Sequence, residues 1–235
     1  FMGTLRTMDQ NTPVSPQPLS HLRRVQRRVL SGAQLRAHGV TAATARERCA
    51  PGGGWQQLLP GVFLLHPGPP TSTERLHAAL LYAARPPADD HTVSAQQDGN
   101  RPRRPEAGAY GEVMITGLAA LALYRFSSVP ALPAVELIDV LVPQTRRLRS
   151  VSFARLVRGA RLPEPRRIGG VPVAPVPRAL ADAVARLADP ATLHGVLAEA
   201  VHGGYGGPAA VITELRHGGL LAQAPGRGTA SRTLE

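Results

Sequence analysis

Few residues in this chain have the type and spacing that chemistry needs. The eight histidines, His21, His38, His66, His77, His91, His194, His202 and His217, are scattered. No two stand in an HxxxH arrangement on one helix with an acidic residue between them, as a metalloprotease requires. Asp139 in "ELIDVLV" could present a strand carboxylate for metal-dependent phosphoryl chemistry. Its nearest acidic neighbour, Glu136, is three residues away and would face the other side of a strand. Arg178 and Asp182, four apart on a predicted helix, read most simply as a surface ion pair worth about 0.3–0.5 kcal/mol. "PGGG" at Pro51–Gly54 is no phosphate loop, because no Gly-Lys-Ser/Thr follows and the sequence holds no lysine. The expectation is therefore no catalytic residue, no metal, no cofactor and no enzymatic activity.

What the chain does have is arginine. All 27 basic residues are arginine, and the formal net charge is +11. GC-rich coding would enrich Ala, Gly, Pro and Arg together without functional cause. An excess of this size also favours a polyanionic partner, and the guanidinium fork matches phosphates and guanine edges. Placement has to separate the two readings. "HLRRVQRR" packs Arg23, Arg24, Arg27 and Arg28 into His21–Arg28, with Leu22, Val25 and Val29 spaced as the apolar stripe of a helix.

The elements that would position these cations follow directly. In "SGAQLRAHG", Ser31 is the predicted helix cap, Gln34 its capping-box partner and Gly39 the stop. "VTAATARERC" repeats the plan from Thr41, with Ala45 and Cys49 on one face and Ala42, Ala43, Arg46 and Glu47 on the other, Arg48 flanking them. "WQQLL-PG-VFLL" then reads as two strands joined by Pro60-Gly61 in a type II turn. Helix, helix, helix, hairpin is the order of a winged helix. Its third helix would read a DNA groove, since Ala42 and Ala43 permit close approach and Arg46 reaches guanine or phosphate. The arginines of the first helix would anchor phosphates.

Downstream, a helix is predicted over Thr71–Ala84 with Leu76, Ala79, Leu80 and Ala83 inward. A surface loop over 86–111 follows, then a buried helix at Thr116–Tyr124 and two strands in "AVELIDVLVP" and "RSVSFARLVRG". Three proline-opened helices close the pattern: Pro177–Leu187, Pro190–His202 and Pro208–His217. Leu193, Val196, Leu197, Ala200 and Val201 form the apolar face of the second of these. The predicted fold class is α+β, with an N-terminal winged helix-turn-helix and a mixed α/β second part packed as its own unit. The divisions are an arm (1–18), a winged helix (19–68), the second part (71–220) and a tail (221–235).

The hydrophobic content of 43% is enough for a core. No window approaches the 18 apolar residues of a membrane span, and the N-terminus lacks a secretory pattern, so a cytoplasmic location is expected. The single cysteine, Cys49, excludes an internal disulfide and reads as a small buried side chain.

The order of "QRRVLSGAQLRAHGVTAATARERC", "GGWQQLLPGVFLL", "TGLAALALY", "VLVP" and "GVPVAPVPRALADAV" resembles the AbiEi-like antitoxin family of actinobacterial type, over about Val25–Leu220. The resemblance implies an N-terminal winged helix that binds double-stranded operator DNA and autorepresses its operon. It further implies a following domain that neutralises a separately encoded nucleotidyltransferase-like toxin. Carried over, the DNA-binding role falls on Thr41, Ala42, Arg46 and Arg48, with Gln56 and Gln57 on the wing. The 86–111 segment departs from the pattern as an insertion. Many members continue into a nuclease-like region that these 235 residues do not contain, which again argues for no enzymatic activity. The alternative is a protein-binding antitoxin or scaffold without DNA specificity.

Overall fold

The computed structural model describes residues 28–85, 110–205 and 208–217. The chain is mixed α+β with two sheets. Strand β1 (Val29–Ser31) leads into helix α1 (Gly32–Ala37), and α2 (Ala42–Arg48) follows. The local signals for both helices hold. Ser31 Oγ accepts from the Gln34 amide at 3.2 Å and Gln34 Oε1 accepts from the Ser31 amide at 2.9 Å, a reciprocal cap worth about 1 kcal/mol. Gly39 stops α1 at φ 78°, and Thr41 Oγ1 accepts from the Thr44 amide at 3.1 Å to open α2.

Strands β2 (Gln56–Leu59) and β3 (Val62–Leu64) form the expected hairpin, and β1 adds to it in the antiparallel order β1-β3-β2. Gly61 at φ 72° suits the third position of a type II turn. Such turns match strand twist poorly, and the ladder shifts register between Gln57 and Leu59, beside the turn. The strand β1 corrects the predicted first helix. Val29 belongs to a ladder opposite Leu64, and Arg28 sits at φ 65°, so no helical stripe runs through to Val29. The rest of that predicted helix lies outside the described residues, as do the arm, the tail and the 86–109 part of the predicted loop.

Alternation along β1 and β3 sends side chains to two cores. Leu30 and Leu65 join Leu35 and Ala45 in a small cluster under α1 and α2, with Val40, Trp55 and Phe63 packed against it. Val29, Val62 and Leu64 face the other way, onto α3 (Ser72–Ala83), in a cluster continuous with the rest of the molecule. Helix α3 is buried from Leu76 to Ala83 because both sheets pack on it. One buried cluster includes residues of both parts, from Val29 to Val211.

The second sheet contains β4 (Met114–Thr116), β5 (Ile138–Pro143), β6 (Ala154–Gly159), β7 (Arg166–Ile168) and β8 (Val171–Val173), in the order β6-β5-β4-β8-β7. The predicted helix from Thr116 is corrected: "MIT" is the central strand, and helix α4 spans only Gly117–Leu123. Gly117 makes the strand-to-helix turn at φ 62°, where a Cβ would lie 2.5 Å from Asp139 Oδ2. Strands β5 and β6 run parallel, and Glu136 precedes β5 rather than facing away from Asp139 within it. Helices α5 (Val176–Val184), α6 (Pro190–His202) and α7 (Pro208–His217) close the described chain.

Two further expectations are corrected here. Arg178 and Asp182 are not a surface pair, for they are 5% and 6% exposed. Asp182 accepts from Arg178 Nε and Nη2 at 3.0 Å each and from Thr116 Oγ1 at 2.6 Å, pinning α5 to the central strand. On α6 only Val196 and Ala200 are buried, while Leu197 and Val201 are 36% and 53% exposed, so the inward stripe is narrower than its sequence pattern. Among the described residues, no helix is long and apolar enough to cross a membrane.

Candidate nucleic-acid interface

Helix α2 stands on the small cluster through Ala45 alone, which leaves Ala42, Ala43, Arg46, Glu47 and Arg48 exposed. Two methyl groups followed by a cation make a low, positively charged ridge. Thr41 opens it, but its hydroxyl is engaged with the Thr44 amide and hydroxyl. Arg48 lies over the Trp55 ring, 5.7 Å from the guanidinium carbon to the centroid, which restrains the cation without neutralising it. No carboxylate lies within 4.0 Å of Arg46 or Arg48 among the described residues.

The glycine run that follows has a geometric cause. A Cβ at Gly53 would lie 2.3 Å from the Arg48 carbonyl oxygen, so the chain passes too close to the end of α2 for any side chain. The Trp55 amide then donates to that carbonyl at 2.9 Å, which fixes the start of the hairpin against the helix. Cys49, the last residue of this turn, is half-buried, and burial pushes its thiol pKa up.

The hairpin is less of a wing than its sequence suggests. Its two-residue turn is tied down on both sides. The Gly32 amide donates to the Gly61 carbonyl at 2.8 Å, and Arg85 Nη1 donates to the Pro60 carbonyl at 3.1 Å. Gln56 does not point outward: its amide donates to the carbonyls of His66 at 2.9 Å and Gly68 at 2.6 Å, fastening the link to α3. Gln57, the next residue on the pleat, is exposed.

That link is itself a hydrogen-bonded unit. His66 Nδ1 accepts from the Gly68 amide at 3.1 Å, so Nε2 carries the proton that faces Glu74 Oε1 at 3.0 Å. Burial pushes the Glu74 carboxyl up, but hydrogen bonds from Thr71 and His66 outweigh it and hold the pKa below its ordinary value.

Of the predicted DNA contacts, the structure brings together Thr41, Ala42, Arg46 and Arg48 on α2 and leaves Gln57 exposed on β2. Arg28 is exposed at the entry to β1, and Arg23, Arg24 and Arg27 lie outside the described residues. Asp139 is 2% exposed and held bidentately by Arg155, Nε to Oδ1 and Nη2 to Oδ2, with Arg186 at 4.0 Å. Its carboxylate is a structural anchor between β5 and β6. No group of three or more His, Cys, Asp or Glu side chains among the described residues is arranged to hold a metal ion. Sequence reasoning missed Trp55 as the platform for Arg48, although a lone tryptophan seven residues beyond an arginine at a helix end is a readable signal.

Compared with known proteins, the chain matches no family model, and no curated protein sequence is significantly similar to it.

Proposed function

We propose that this protein is a sequence-specific DNA-binding transcriptional regulator, an autorepressing, antitoxin-like binder rather than a catalyst, acting on operator DNA in the cytoplasm. The observation that carries the reading is the run β1-α1-α2-β2-β3 with sheet order β1-β3-β2. This order matches the one a winged helix follows from its first strand onward, which supports reading α2, with its small and cationic residues exposed, as the recognition helix. In that role Ala42 and Ala43 let the helix sit close to base edges, Arg46 donates to guanine or phosphate, and Arg48, braced on Trp55, takes a phosphate. The tied-down turn and the engaged Gln56 reduce the wing to Gln57, so groove reading rests mainly on α2. A cognate toxin held by the second part is a further partner under the family resemblance.

The test is Arg46→Ala in a binding titration against the DNA upstream of the protein's own gene. A base-reading arginine is worth about 1–3 kcal/mol of discrimination, so the variant loses about 5- to 150-fold on the native duplex and much less on a scrambled one. Equal losses on both sequences would remove Arg46 from base readout.

A further inference from the structure

We infer that Arg85, Arg146 and Arg158, together with Arg147 and Arg149, form a second phosphate-binding strip that carries bound duplex DNA from the hairpin turn onto the β5–β6 connection. The inference rests on the DNA-binding reading above and extends it to a surface that the predicted recognition helix does not include.

The strip is a relay of guanidinium groups held by backbone carbonyls. Arg85 Nη1 donates to the Pro60 carbonyl at the hairpin turn, and its guanidinium carbon lies 5.5 Å from the Tyr82 ring centroid. Arg146 Nη1 donates at 3.0 Å to the carbonyl of Arg85, with Nη2 reaching that of Ala84 at 3.5 Å. Arg158 in turn donates through Nε at 3.1 Å to the carbonyl of Arg146 and through Nη2 at 2.6 Å to that of Leu148. The Tyr82 hydroxyl donates at 2.8 Å to the carbonyl of Arg149, fastening the same connection to α3. Residues 60, 85, 146 and 158, far apart in sequence, are thereby linked in succession by hydrogen bonds.

Carbonyl anchoring orients these cations without neutralising them. A guanidinium has five N–H donors, so each of the three anchored arginines keeps at least three for an incoming anion. Among the described residues, no carboxylate lies within 4.0 Å of Arg85, Arg146, Arg147, Arg149 or Arg158. The contrast is with Arg155, Arg178 and Arg186, which each have an Asp or Glu partner. Like charges held side by side repel, and a polyanion that releases its counterions relieves that repulsion.

A phosphate backbone fits better than an acidic protein surface. Among the described residues, the exposed large hydrophobic ones, Leu137, Leu197, Val201, Tyr205 and Ile212, all lie elsewhere in the chain, so the described strip carries none of the apolar anchors on which protein interfaces depend. Its start at Pro60 also makes it continuous with the hairpin beside the proposed recognition helix.

The test uses the full chain and two duplexes of equal length, one from upstream of its own gene and one scrambled, followed by fluorescence anisotropy across a salt series. The variants are Arg147→Ser/Arg149→Ser, whose side chains make no hydrogen bond among the described residues, and Arg158→Ser, checked by thermal melting. Each lost phosphate contact lowers the slope of log K against log salt by about 0.9, so the double variant loses about 1.8 on both duplexes. The native-to-scrambled ratio stays as in the wild type. An unchanged slope in both variants, with wild-type specificity intact, overturns the strip and leaves the DNA-binding reading standing. Wild-type protein that binds neither duplex overturns both. Displacement of DNA from the wild type by polyglutamate at equal charge, undiminished for the native duplex, also overturns the strip as a DNA surface.

Discussion

Replacing Asp182 by alanine should destabilise the protein far more than a four-residue spacing on a helix suggests. The carboxylate accepts two hydrogen bonds from Arg178 and one from Thr116, and these three residues are 6%, 5% and 0% exposed. The substitution strands a buried cation and orphans a buried hydroxyl. Breaking a buried pair from one side costs about 3–5 kcal/mol, against about 0.3–0.5 kcal/mol for an exposed i,i+4 pair. Glu214 Oε2, 3.9 Å from Arg178 Nη1, is close enough to take up part of the charge, which puts the expected loss near the lower end, about 3 kcal/mol. Urea unfolding monitored by far-UV circular dichroism reads it directly. With a slope of about 2–3 kcal/mol per molar urea, the midpoint falls by about 1–1.5 M. The paired replacement Arg178→Met/Asp182→Leu, which removes both charges, should recover most of that loss. A fall below about 0.3 M for Asp182→Ala would mean that the pair is solvated after all and would refute the burial argument.

Three other outcomes follow from the same geometry. Gln56→Ala should lower stability by about 1–3 kcal/mol through its two lost hydrogen bonds while leaving base discrimination unchanged, whereas Gln57→Ala should weaken DNA binding without moving the melting temperature. Gly117→Ala should cost at least about 2 kcal/mol in chemical denaturation, because the residue combines a left-handed backbone with a Cβ position already occupied by Asp139. The depressed Glu74 carboxyl makes the unfolded state the stronger proton binder in acid. Its stabilisation is therefore present above the ordinary glutamate value of 4.5 and is lost as pH falls through the lower folded-state value; Glu74→Gln should flatten that acid limb in a stability-against-pH series.

The elements written locally in the sequence were legible, and those completed across long distances were not. Ser31 with Gln34, Thr41, Thr71 and the prolines of the last helices all announce helix starts, because a cap is satisfied within three or four residues. The hairpin was readable from Pro60-Gly61 for the same reason. The strands β1 and β4 are three residues each, too short for alternation to show, and they exist because remote partners satisfy their backbone groups; β7 and β8 are equally short, although they pair locally across Gly169-Gly170. Arg178–Asp182 was misread because its spacing is identical on a buried and an exposed helix face. Of the candidate site, the α2 residues were legible because cap and period fix which side chains face outward. Gln56 was not, since its carbonyl partners lie ten and twelve residues on. The arginine strip was further still from view, since Arg85 and Arg146 are 61 residues apart.

The most direct test of the central claim is the affinity of the purified protein for the DNA upstream of its own gene, set against a scrambled duplex at physiological salt. Sequence-specific recognition by α2 predicts binding at least about 10³-fold tighter to the native duplex. Equal affinity for both duplexes, with both released together as salt rises, would contradict it and leave the arginines as a generic polyanion surface.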